Sequence, residues 1–75
     1  MSAGRPAVPP GPLESAPGGF VPEQERSAIL AVVLDGVELG GWDLRVVGWL
    51  AGLDTSTALT IASWIARARE AGRGQ

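Results

Sequence analysis

The sequence predicts an all-α fold: a small three-helix domain behind a disordered Pro/Gly-rich arm. Three observations carry this. From about residue 21 onward apolar side chains recur at helical spacing, and nowhere with the two-residue alternation of a strand. Glycine-bearing breaks at residues 35–41 and 52–54 divide that stretch into three pieces. Five of the six prolines fall in residues 1–20, where Val8 and Leu13 are almost the only aliphatic side chains larger than alanine. So little apolar surface does not offset the entropy of ordering, and the expected organisation is an arm (1–20), a three-helix domain (21–71) and a disordered tail (72–75). The arm's PxxP spacings, Pro6 to Pro9 and Pro9 to Pro12, are ordinary in such a segment.

The first helix opens at Pro22, suited to a first helical position, with Glu23 and Glu25 near the positive end of the dipole. It runs to Leu34 or Asp35 and ends at Gly36, with Ile29, Leu30, Val33 and Leu34 on its apolar face. A connector follows, with Val37 and Leu39 expected to tuck inward. The second helix, residues 42–51, is apolar nearly all round, as expected of a helix sandwiched between neighbours or covering a partner. Asp54 or Thr55 is a good N-cap for the third, residues 55–71. Its inward face is expected to hold Ala58, Ile61, Ile65 and Ala68, opposite Ser56, Thr60, Ser63, Arg67 and Glu70.

Composition narrows the chemistry. The chain has 75 residues, no Cys and no His, so it lacks disulfides, Cys-based zinc sites and the commonest general base. Asp35, Glu38 and Asp43 cluster near the first connector without a nucleophile and base beside them, and they do not follow calcium-loop spacing. Capping and solubility explain these carboxylates. Gly40-Gly41 lacks the Lys-Ser/Thr of a phosphate loop. No enzyme activity, cofactor, metal or small-molecule substrate is expected. The longest unbroken apolar run, residues 28–34, is far short of a membrane span, and residues 1–12 have no hydrophobic signal segment, so the expected location is cytoplasmic. Net charge is −2, but the acids gather in residues 23–45, while residues 55–75 hold three Arg against one Glu.

The string Trp49-Leu-Ala-Gly-Leu-Asp-Thr-Ser-Thr-Ala-Leu-Thr-Ile61, within residues 44–63, resembles the helix-turn-helix segment of bacterial and phage repressors. In that likeness Gly52 provides a left-handed turn and Gly48 a close helix approach, with Val47, Ala51, Leu53, Ala58 and Ile61 filling the wedge. The resemblance implies a small transcriptional regulator whose last helix enters the DNA major groove. Thr55, Ser56, Thr60 and Ser63 would face bases and phosphates, Leu59 a thymine methyl, and Arg67 and Arg69 the backbone. Residues 30–72 also resemble short uncharacterised proteins of high-GC actinobacteria and their phages, in keeping with six Arg and no Lys. As repressor operators are two-fold, the likeness implies a homodimer.

A second reading stands beside this one. Short helices joined by a glycine turn place apolar residues at similar spacing in any small bundle, and Ser/Thr after a turn is ordinary capping. Trp42, Trp49 and Trp64 then decide the matter: either they fill a thin core, or they anchor an interface of an acidic protein-binding adaptor or inhibitor. Trp42 and Trp49, seven residues apart, share a helix face.

Overall fold

A computed structural model describes residues 8–73, in which α1 (Glu23–Val33), α2 (Gly41–Ala51) and α3 (Thr55–Arg73) follow in order, with no strand among the described residues. The three-helix, all-α expectation holds. α1 is the shared surface: α2 and α3 both pack on it, whereas α2 and α3 form no packed pair of comparable extent. The core is correspondingly thin. It consists of Val21, Ile29, Leu30, Val33, Ala51, Leu59 and Ala62, bordered by half-buried Val8, Leu34, Val47, Leu50, Ile65 and Ala66.

α1 forms as its sequence directs. Pro22 sits at the N-cap, one residue before the position expected for it, and its carbonyl accepts the N–H groups of Glu25 and Arg26, both at 2.9 Å. The helix ends at Val33, slightly short of the expected Leu34 or Asp35, and the turn after it passes through Gly36 at φ +85°, a left-handed conformation that costs a residue without a Cβ little. Its buried stripe is Arg26, Ile29, Leu30 and Val33, spaced i, i+3, i+4, i+7. Arg26 is the unexpected member. Its Nε donates to the Ala51 carbonyl at 2.7 Å, and its Nη1 donates a short bond to the Val21 carbonyl. One guanidinium thereby ties the segment before α1 to the last residue of α2, where the negative end of the helix dipole also favours a cation.

α3 is rotated from the face its aliphatic residues suggested. Its buried residues are Thr55, Ala58, Leu59, Ala62 and Ser63, while Ile61 and Ile65 are only half-buried and Ala68 is exposed. The small side chain of Ala62 lies in the core with the α1 residues, Ala58 is also buried, and the buried hydroxyls are satisfied. Thr55 Oγ1 accepts the Val21 N–H at 3.0 Å and donates back to the Val21 carbonyl at 3.2 Å. The turn before α3 is also plainer than expected. Gly52 has φ −80°, a right-handed conformation open to any residue, and a Cβ at Gly48 would meet nothing within 4 Å. Neither glycine serves a tight turn or a helix contact within the chain. Val37, expected inward, is exposed.

Thr55→Val keeps the shape but strands the buried Val21 N–H. It is expected to lower stability by about 1–3 kcal/mol, and Tm by roughly 4–8 °C for each kcal/mol, read by thermal melting. Ala58→Arg forces a charge into the interior, at a position 1% exposed. It should abolish the cooperative melt, and a retained cooperative transition would contradict the packing.

Candidate interaction surface

α2 is the most apolar of the three helices in composition but buries only Ala51. In its first turn Asp43 Oδ2 accepts the Gly40 N–H at 2.9 Å and so caps the helix start. At 100° per residue, Trp42, Arg45 and Trp49 fall on one side with Gly41 and Gly48 next to them, all five exposed. Val46 is half-buried at the edge of this face, and Leu50, half-buried beyond it, packs against the core. Trp42 is 71% exposed, Trp49 65% and Trp64 58%, so the reading in which tryptophans fill the core is overturned. The core closes without them because Leu30, Leu59 and two alanines already fill the small space between α1 and its neighbours. Leu44 is exposed as well, so the sandwiched arrangement expected of α2 does not occur.

The row of residues expected to face DNA does not form one outward surface. Of Thr55, Ser56, Leu59, Thr60, Ser63 and Arg67, three are buried: Thr55 under Val21, Leu59 in the core, and Ser63 with no exposed surface. Ser63 Oγ donates to the Pro9 carbonyl at 2.7 Å and accepts from Arg67 Nε at 3.1 Å. For Ser63 and Arg67 the arm is the cause. Residues 8–20 have no regular structure, yet Val8 packs on the core and Gly11 lies tightly against the Arg67 guanidinium. Ala16 joins Ser56, Thr57, Thr60, Ile61 and Trp64 around a shallow open hollow. Ser56 and Thr60 are half-buried, and Thr60 Oγ1 turns back to donate to the Ser56 carbonyl at 2.7 Å. Exposed Arg69 lies beyond this row. The expected stripe of α3 is therefore largely occupied by the chain itself.

The carboxylates act as caps. Asp54 starts α3: its carboxylate accepts the Thr57 Oγ1 hydroxyl at 2.8 Å, the Thr57 N–H at 3.2 Å and the Ser56 hydroxyl at 3.1 Å. These bonds, the Thr57 hydroxyl foremost, hold its pKa below the ordinary 3.8. Among the described residues no group of three acidic, His or Cys side chains is placed to hold a metal ion, and no helix is long and apolar enough to cross a membrane. Compared with known protein families, curated proteins and solved structures, the chain matches none. Its own side chains carry the functional reading.

Of the residues singled out in the sequence, Trp42 and Trp49 come together on one exposed face, while Trp64 borders a separate hollow. Sequence reasoning missed Gly41, Arg45 and Gly48 as members of that face. The signal was present, because Gly41 and Gly48 repeat at the same seven-residue interval as the two tryptophans.

Two outcomes follow. Because the folded-state pKa of Asp54 is depressed, its contribution is full above the unfolded value near 3.8 and is lost as pH falls through the lower folded value. Asp54→Asn keeps a capping side chain but should flatten the acid limb of the stability profile, measured by denaturant melts from pH 5 downward. Ser63→Ala removes the donor to Pro9 and should speed proteolysis within residues 8–20 while leaving a cooperative melt, seen by limited digestion and mass spectrometry.

Proposed function

We propose that this chain is a non-catalytic protein-interaction module that presents α2 as its contact helix. The observation that carries the reading is the placement of Trp42 and Trp49, both more than half exposed, on one side of an apolar helix that buries a single residue. Exposed aromatic side chains on a fixed helix are favourable anchors: they bring large apolar area into a contact and lose little conformational freedom. Neighbouring Leu44 and Val46 extend the apolar area, and Arg45 supplies a cation able to stack on an aromatic ring. Helix-to-helix or helix-in-groove packing is the mode that suits such a face.

DNA regulation through the repressor-like turn has less support. The α3 stripe it needs lies under residues 8–16 or in the core, and α2 and α3 lack the mutual packing that a helix-turn-helix relies on. The net charge of −2 offers no broad attraction for phosphates.

A photoreactive side chain at Leu44, on the α2 surface, should form protein adducts that excess wild-type chain competes away and a Trp42→Ala/Trp49→Ala variant does not. The same group at Val32, exposed on α1, should form none. Equal adducts from both positions, or competition by the double variant, would overturn the reading. Salt-sensitive binding of a mixed-sequence duplex, lost on Arg67→Ala, would restore the DNA reading instead.

A further inference from the structure

We propose that the occupant of the α2 face is a second copy of this chain, with the two α2 helices side by side and parallel about a two-fold axis. The inference rests on α2 being the interaction surface and goes on to name its partner. The face is built of two matching rows. Trp42 and Trp49 form one, Gly41 and Gly48 the other, both with a seven-residue repeat, and Arg45 lies between them. One row is bulky and the other has no side chains. A two-fold axis along the helices exchanges the rows, setting Trp42 of one copy over Gly41 of the other and Trp49 over Gly48, and both fits occur in a single register. Helical side chains lean toward the N-terminus, which suits a tryptophan resting on the glycine one residue earlier.

The glycines argue independently of the tryptophans. Gly48 lies in mid-helix, where glycine weakens a helix relative to other residues, whereas Gly41 is the first residue of α2 and carries no such cost. Within the chain nothing requires Gly41 or Gly48, since a Cβ at either would meet nothing within 4 Å. Close approach from outside the chain gives them a purpose. The available area also matches a modest dimer. Each exposed tryptophan offers on the order of 150 Å², and with Leu44, Arg45 and Val46 the paired faces cover on the order of 1,000 Å², the low end for a specific contact. Dissociation in the range of roughly 10–100 µM is expected. Arg45 faces its own copy near the axis, so like charges oppose the pairing there. Added salt should therefore strengthen association, opposite to phosphate binding.

The test is sedimentation equilibrium of the full chain from about 1 to 500 µM, a range bracketing that dissociation constant. The wild type should pass from monomer to dimer, more readily at higher salt. Gly48→Gln separates this proposal from general stickiness. It should raise the Tm of the dilute monomer by a few degrees, since glutamine favours helix, yet weaken dimerisation at least tenfold by filling the notch. Arg45→Leu should tighten the dimer severalfold. A wild-type chain that stays monomeric overturns the proposal; if it still yields Trp-dependent adducts from Leu44 with other proteins, α2 remains the interaction surface and only the second copy is removed. Dimerisation that survives Gly48→Gln overturns the tryptophan-on-glycine register.

Discussion

The guanidinium of Arg26 is the constraint around which the domain is arranged. A charged side chain 8% exposed is tolerable only if its donors are used, and here they bond the carbonyls of Val21 and Ala51. Among the described residues no buried side-chain polar atom lacks a partner. Val21, held from one side by Arg26, is held from the other by Thr55 at the start of α3. The segment before α1, the end of α2 and the beginning of α3 therefore meet at one polar clasp, and the aliphatic core extends from it along α1. A core led by Leu30 and small residues does not need large aromatic rings, which is why every tryptophan is left outside.

That division of labour sets the character of the two outer helices. α3 gives its inward face to α1 and much of its flank to the arm, so its hydroxyls are used within the molecule. α2 gives the core Ala51 with half-buried Val47 and Leu50, and turns Trp42, Leu44 and Trp49 outward. Asp43 near its start is tied to capping through the Gly40 N–H.

Much of the architecture was legible in the sequence. Three helices, their breaks at Gly36 and around Gly52, and the capping role of Asp54 follow from local chemistry, which acts over a few residues. What was not legible is which side of each helix turns inward. Periodicity ranks Ile61 and Ile65 above Thr55 and Ser63 as core residues, because it cannot register that Val21 and Pro9 supply backbone partners from far along the chain. The same gap misplaced the tryptophans. Arg26 could have been noticed, since it stands on the apolar stripe three residues before Ile29 and four before Leu30. Its burial depends on the Ala51 carbonyl, which pattern alone does not locate.

The Ser63 bond to Pro9 joins residues 54 apart and the Thr55 bond to Val21 joins residues 34 apart. Helical proteins usually assemble through near neighbours in sequence, yet these two ties are remote, so loop closure weighs on how this chain folds. The two closures are unequal. Once Val21 is pinned on Thr55, Pro9 reaches Ser63 through only the intervening dozen residues, so the second closure follows cheaply from the first. The reverse order has no such advantage. On closure entropy alone, docking of Pro9 on Ser63 is thus the cheaper step once the helical body has formed.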